Sequence, residues 1–187
     1  MARPGNWWGM AMASFAHDAL KGVMARPMVP GDLEFLQGLY ASTRAAEMAA
    51  TGWTEAQCRQ FLDGQFELQH HYYQAHHAGA DFLLLSRGAQ PIGRLYWRER
   101  DDTASLIDVS LLPAERGRGI GSALMHLLVQ RADERGLAIE LHVEPDNPAL
   151  RLYRRFGFDV AKDNGVYARM RREPEAFTVV SSEGCIA

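Results

Sequence analysis

The sequence predicts one α/β domain of the α+β type, in which a mixed, mostly antiparallel sheet of six to seven strands carries helices on both faces. Three observations lead to this prediction. One strand pattern and two helix patterns come first, three strand patterns separated by short turns follow, and helix and strand patterns then alternate. Short turns join antiparallel strands, whereas a helix between two strands allows parallel pairing. The 187 residues are 47% hydrophobic, which suffices for one sizeable core.

The first part of the chain predicts a strand over 25–29 and two helices. Asp32 is placed to cap the first helix, because a carboxylate can accept the free N–H groups of a first turn. Thr54 and Gln57 have capping-box spacing at the start of a second, longer helix. The residues expected on the apolar faces of these helices are Leu33, Leu36, Leu39, Tyr40, Phe61, Leu62, Phe66, Leu68, Tyr72 and Tyr73.

The middle of the chain predicts three strands, over 80–87, 91–100 and 103–112. Turn-forming residues at 87–90 and 101–102 separate them. Links this short favour an antiparallel meander.

The last part predicts alternating helices and strands. The segment 115–122, ERGRGIGS, opens a helix that Gly136 ends, since glycine adopts the left-handed conformation found after a helix. A strand is predicted over 137–143, Asn147 is placed to cap a short helix, and the turn Asn164–Gly165 joins the last two strands. The apolar face of the glycine-led helix holds Ile120, Leu124, Leu127, Leu128 and Ala132.

These elements predict a single domain over 24–172, with an N-terminal extension at 1–23 and a C-terminal tail at 173–187. No apolar run approaches the roughly 20 residues that cross a bilayer, so we expect no membrane association. The net charge of −3 disfavours nucleic acid as a partner, although arginines cluster around 116–118 and 151–155.

Neither the cysteines nor the histidines predict a disulfide framework or a metal site. Cys58 and Cys185 lie far apart in the chain, which fits a reducing compartment and predicts a cytoplasmic protein. The histidines within 69–77, QHHYYQAHH, lack the i, i+4 spacing that two ligands on one helix face require.

Gly117, Gly119 and Gly121 stand where a helix begins, although each glycine inside a helix costs about 1 kcal/mol relative to alanine. A strand that leads through glycines into a helix favours anion binding, because the first N–H groups lack helical partners and glycine lets a phosphate approach. The dinucleotide pattern G-x-G-x-x-G would need a glycine at Ser122, and the triphosphate loop would need a lysine before it. Close packing of the helix on the sheet is a further alternative.

Two motifs resemble those of the GCN5-related N-acetyltransferases. Arg116, Gly119 and Gly121 match the acyl-CoA pyrophosphate loop of that family, in which Gln or Arg precedes two residues, Gly, one residue, and Gly or Ala. The segment 147–158, NPALRLYRRFGF, is similar to its second motif. The matching residues are Asn147, Ala149, Leu152, Tyr153, Gly157 and Phe158. The resemblance covers the predicted domain in element order and is specific over 106–158.

The resemblance implies the acyl-CoA N-acyltransferase fold, with acetyl-CoA as co-substrate and no metal. The glycine loop would offer N–H groups to the pyrophosphate, the preceding strand would pair with the pantetheine arm, and Asn147 would contact the cofactor. The residues so assigned are Val109, Ser110, Leu111, Arg116, Gly117, Arg118, Gly119, Ile120, Gly121, Ser122 and Asn147.

The implied reaction involves a proton at each end, because an amine with a pKa near 10.4 is protonated at neutral pH and a thiolate must leave. The second motif implies Tyr153 as the acid at the thioester sulfur. The candidates for the base are His142, Asp108, Glu144 or a water relay. A main-chain N–H near 109–111 would polarise the thioester.

We therefore expect an N-acetyltransferase that moves an acetyl group directly to a primary amine of a small molecule or peptide, in a ternary complex. Asp108 and Glu144 would suit a cationic amine, and 42–53 together with 69–77 would set specificity. The alternatives are an acyl-CoA sensor or interaction module on the same fold, and a nicotinamide-dependent oxidoreductase. An exposed final strand or the tail offers a route to a homodimer.

Overall fold

The computed structural model describes residues 18–175, in which seven strands form one sheet in the order β1-β2-β3-β4-β5-β7-β6. The strands are β1 (Val23–Pro27), β2 (Asp81–Arg87), β3 (Gln90–Arg100), β4 (Thr103–Leu111), β5 (Ala138–Val143), β6 (Asp159–Asp163) and β7 (Ala168–Arg172). The helices in this range are α1 (Leu33–Thr43), α2 (Ala45–Ala49), α3 (Glu55–His76), α4 (Ile120–Glu134) and α5 (Leu150–Arg155). Most of the predicted extension and tail lies outside the described residues.

Strand pairing confirms the expected mixed, mostly antiparallel sheet. β1 to β4 are antiparallel neighbours, β4 and β5 are parallel, and β5, β7 and β6 are again antiparallel. The one parallel pair is the pair that α4 connects, because a crossover helix returns the chain to the same end of the sheet.

Helices cover both faces of the sheet. α4 packs on the larger core, where Leu83 and Leu85 of β2 are fully buried. α1 and α3 pack on the opposite face, where Leu84 is buried against Phe66 and Leu39. Successive side chains of a strand point to opposite faces, so the apolar run in β2 serves both cores.

The first strand and the first helix differ from the prediction. β1 begins at Val23, which is buried in the larger core together with Leu20. The side chain of Asp32 does not cap α1. Its oxygens instead accept two hydrogen bonds of 2.7 Å from Arg26 and one of 2.8 Å from the Val29 N–H. The hydrogen bonds from Arg26 lower the pKa of Asp32.

The apolar stripe predicted on the long helix is only partly buried. Leu62 and Phe66 of α3 are buried, whereas Phe61, Leu68 and Tyr72 are exposed. The physical reason is helix geometry, because at 3.6 residues per turn the exposed residues lie about 100° around α3 from the buried pair. Periodicity identifies the helix but not how wide a face its neighbours cover.

The last described strand is not an edge of the sheet. β7 lies between β5 and β6, so the edges are β1 and β6. A homodimer formed through the free edge of β7 is therefore not available, and the route through the tail concerns residues outside the described range.

An extra residue in β4 interrupts the pairing of that strand with β3. Tyr96 lies opposite Asp108 but Trp97 lies opposite Leu106, which leaves Ile107 as a bulge. The bulge reverses the faces of the residues that follow, so that Asp108 bonds Arg94 on the α3 side. Gly93 permits this course, because a Cβ there would overlap the Ser110 carbonyl oxygen and lie 2.7 Å from Leu111 Cδ2.

We expect Gly93→Ala to destabilise the protein by about 1–3 kcal/mol, the usual cost of overpacking. Gly64→Ala is the matched control, since a Cβ there meets nothing within 4 Å and alanine favours a helix by up to about 1 kcal/mol. Urea denaturation of both variants measures the free energy of unfolding. Equal stability of the two variants would contradict the close approach of β3 and β4.

Candidate active site

A slit opens where β4 and β5 separate. Their parallel pairing runs only from Thr103 opposite Ala138 to Leu106 opposite Leu141. Beyond the bulge, the segment 108–111 of β4 remains paired with β3 but has no ladder to β5. Main-chain N–H and C=O groups along the two facing edges are thus available to a third, extended partner.

The glycine loop follows β4 directly and forms the start of α4. Gly117 and Gly119 have φ of +71° and +80°, the left-handed region that glycine adopts without strain. Gly119 is the N-cap and no side chain caps the helix. The first helical hydrogen bond joins Ala123 N–H to Gly119 O. The N–H groups just before Ala123 therefore have no helical partner.

Gly121 distinguishes phosphate binding from packing. Its backbone is helical, and a Cβ placed there would meet only Leu152 Cδ2, at the ordinary contact distance of 3.7 Å. The protein's own packing therefore does not require a glycine at this position. A bare main chain at a helix N-terminus fits a phosphate, as the sequence predicts.

Three arginines surround this loop. Arg116 donates to the Leu111 carbonyl oxygen at 2.9 Å, and Arg118 pairs with Glu115 at 3.2 Å. Arg155 of α5 donates to Ser122 Oγ at 2.9 Å, which brings a positive charge to the first turn of α4. The sequence does not single out Arg155 as a site residue, and its only signal is the arginine cluster around 151–155.

Tyr153 lies in α5 and packs in the larger core, with its ring 5.9 Å from that of Phe158. Its hydroxyl forms no hydrogen bond with any residue between 18 and 175, so it is free to donate one to a ligand. Burial raises the pKa of Tyr153 to about 12, and the charge of Asp108 adds to the effect. The phenol is therefore protonated at neutral pH, as an acid or hydrogen-bond donor must be.

Asp108 is held by a buried arginine. Arg94 Nε donates to Oδ1 at 3.0 Å and Arg94 Nη2 to Oδ2 at 2.7 Å, while Ser110 Oγ donates to Oδ1 at 2.8 Å. Arg94 also reaches Gln69 of α3 at 2.9 Å. Both carboxylate oxygens are thus occupied, which favours an anchoring role for Asp108 over the role of base.

The other two base candidates differ in their surroundings. His142 of β5 is exposed, lies opposite Arg169 of β7, and is close enough to His77 to affect its pKa. Glu144 follows β5 and lies 3.7 Å from Arg44, which closes α1. Both therefore border the space between the slit and α3, the side on which we expect the acceptor.

Asn147 shapes the turn before α5. Its Oδ1 accepts from the Ala149 N–H at 2.9 Å, which is an Asx turn. The predicted cap is wrong, because the helix begins at Leu150, its N-cap is Ala149, and no side chain caps it. In the described range 18–175, no group of three His, Cys, Asp or Glu side chains could hold a metal ion, and no helix is long and apolar enough to cross a membrane.

Comparisons with known proteins agree with this geometry. Residues 46–158 match the model of the acetyltransferase (GNAT) family. The chain is 28% identical over 152 residues to a mycothiol acetyltransferase of Brachybacterium faecium. The aligned region covers 73% of this chain and 46% of that protein. It is 44% identical over 52 residues to an L-2,4-diaminobutyric acid acetyltransferase of Nocardia farcinica, covering 27% of each. The chain thus spans less than half the length of these relatives.

Solved structures show the same fold. The PaiA N-acetyltransferase of Thermoplasma acidophilum, solved in complex with coenzyme A, superposes with a TM-score of 0.61 at 18% identity, covering 81% of this chain and 98% of that one. A histone acetyltransferase HPA2-related protein of Corynebacterium glutamicum gives a TM-score of 0.58 at 20% identity, covering 84% and 99%. The acyl-CoA N-acyltransferase fold is thereby confirmed.

We expect Asp108→Asn to destabilise the fold by about 3–5 kcal/mol, because it leaves the buried Arg94 charge without its counter-charge. The paired replacement Arg94→Met with Asp108→Leu removes both charges and is expected to cost much less. Urea denaturation of both proteins measures the difference. If the free energy of unfolding of Asp108→Asn is within about 1 kcal/mol of that of the original chain, the anchoring role is contradicted.

Proposed function

Because the chain belongs to the acetyltransferase (GNAT) family, we propose that it transfers the acetyl group of acetyl-CoA directly to a primary amine, in a ternary complex. The proposal rests on one observation, namely that two sets of main-chain groups without hydrogen-bond partners lie next to each other. The slit beside β4 and the uncapped start of α4 adjoin each other in the chain. Together they suit a ligand with an amide-bearing arm and a phosphate group.

The chain offers acetyl-CoA both main-chain and charged groups. The N–H groups of 117–122 would hold the pyrophosphate, with Arg116, Arg118 and Arg155 adding positive charge. The segment 109–111 would pair with the pantetheine arm as an added strand, and Asn147 would lie nearby. The bound acetyl-CoA supplies a thioester, a carbonyl that an amine can attack with a thiolate leaving group.

Three groups of the protein would assist the transfer. The Tyr153 hydroxyl would donate a hydrogen bond or proton at the thioester sulfur, because its raised pKa keeps it protonated. A main-chain N–H of 109–111 would polarise the carbonyl. His142 would take the proton from the acceptor's ammonium, directly or through water, since it is exposed beside the slit whereas Asp108 is paired with Arg94.

Direct transfer is favoured over a covalent enzyme intermediate. Cys58 lies in the first turn of α3, whereas Gln69 of that helix reaches Arg94 beside the slit. Eleven residues of helix separate the two positions by about 16 Å. A cytoplasmic location fits acetyl-CoA chemistry and the free thiol of Cys58.

Tyr153→Phe tests the enzyme against an acyl-CoA-binding module. We expect the kcat for thiol release from acetyl-CoA, with the best primary amine of a panel, to fall by about 100-fold or more, because the acid at sulfur is lost. The affinity for coenzyme A, measured by calorimetry, should stay within about twofold. Tyr40→Phe, which removes the hydroxyl of a buried tyrosine of α1, is the matched control and should leave both quantities unchanged.

Two other results would contradict the proposal. Coenzyme A binding without amine-dependent thiol release, over the whole panel, would show that the chain is a binding module. Thiol release that survives Tyr153→Phe would show that the acid is another group.

A further inference from the structure

The two carboxylates expected to attract a cationic acceptor differ in how closely they are paired. Asp108 is held by Arg94 at 2.7 Å, and Glu144 lies 3.7 Å from Arg44. Glu144 is 44% exposed and Arg44 pairs more closely with Glu47, at 3.1 Å, so Glu144 is the negative charge that this side of the slit presents. Two positive charges on the same side also lack strong partners within residues 18–175.

Arg98 of β3 is one of these charges. It makes no ion pair within the described range, and its only hydrogen bond there is a long one of 3.4 Å, to the His76 carbonyl oxygen at the end of α3. Its Nε is buried without a partner among these residues. A guanidinium has five N–H donors, so Arg98 keeps most of its capacity for a ligand.

Arg169 of β7 is the second. Its nearest carboxylate is Glu140, at 3.8 Å, and Glu140 is held more closely by Arg171 at 2.8 Å. The Nε of Arg169 is also buried without a partner in residues 18–175, while its side chain is 43% exposed. Its charge is therefore accessible and only weakly neutralised.

The two arginines share the face of the sheet on which α3 lies. Arg169 lies directly opposite His142, whose neighbours Leu141 and Val143 point into the larger core on the other face. Arg98 and His142 both lower the pKa of His77, whose Nδ1 is likewise buried without a partner in the described chain. Burial is the largest cause of that lowering. Arg98 lies opposite Ser105, and Ser105 lies opposite Glu140, so Glu140 stands between the strands that carry the two arginines. We call Arg98, His77, His142 and Arg169 the cationic patch, whose fixed charge is that of the two arginines.

We propose that the cationic patch binds the carboxylate of the acceptor, and that the acceptor is an amine that also carries a carboxylate. Buried polar groups in a native protein normally have partners, so several unpartnered nitrogens in one patch point to a ligand. Guanidinium groups match a carboxylate in shape and charge. The inference rests on the proposed function, because it places the amine of that ligand beside His142 and the thioester.

Arginine side-chain NMR tests this binding without turnover. The full chain is labelled with 15N and titrated with N-acetylglycine, which carries a carboxylate and an acetylated amine, or with its amide, which is neutral. We expect the Nε–H signals of Arg98 and Arg169 to shift saturably with N-acetylglycine, with at least tenfold weaker binding of the amide. Inorganic phosphate is a third titrant and should bind more weakly than N-acetylglycine.

The variant Arg169→Gln removes one charge and should weaken N-acetylglycine binding at least tenfold. Arg59→Gln is the control, because Arg59 is an exposed arginine of α3 that pairs only with Glu55 in the described chain. Equal shifts with the acid and its amide, no shift at either arginine, or tighter phosphate binding would overturn the proposal. Coenzyme A added to the same sample reports on the glycine loop separately, so failure of the patch and failure of the proposed function are distinguishable.

Discussion

Unpaired main-chain groups beside β4 are the feature on which the site depends. A strand edge or helix start that buried its N–H and C=O groups without partners would be costly, so these groups must meet water or a ligand. The bulge at Ile107 separates β4 from β5, and the glycine loop leaves α4 uncapped. Gly93 and the Arg94–Asp108 pair hold the free edge in place. The scaffold thus keeps one surface of main-chain donors and acceptors fixed and open.

Local patterns predict the elements well, because periodicity and caps are local properties of the chain. The glycine-led helix buries all five of its predicted residues, and Thr54 with Gln57 forms the expected capping box. The split of the sheet could not be predicted, because no residue near Ile107 marks an extra residue in a strand. The pairing of Asp108 with Arg94 joins positions 14 residues apart, so the sequence alone indicates a candidate base where the structure has an ion pair.

The charge beside the slit follows from these ion pairs and not from the amino-acid composition. Arg94 neutralises Asp108, whereas Glu144 is only loosely paired with Arg44, and Arg98 and Arg169 find little compensation in the described chain. A positive surface next to the reacting amine also favours the neutral, nucleophilic form of that amine, since a nearby like charge disfavours an ammonium ion. The same residues would therefore hold an acceptor by its carboxylate and ease the loss of its proton.

The most direct test of the glycine loop as the phosphate site is the melting temperature with and without saturating acetyl-CoA, for the original chain and for Gly121→Glu. At one hundred times the dissociation constant a ligand stabilises by about 2.7 kcal/mol, a shift of several degrees. We expect that shift for the original chain and for Gly121→Ala. We expect none for Gly121→Glu, whose own stability should not fall because acids favour a first helical turn. A full shift with Gly121→Glu, or none with the original chain, would contradict the glycine loop as the phosphate site.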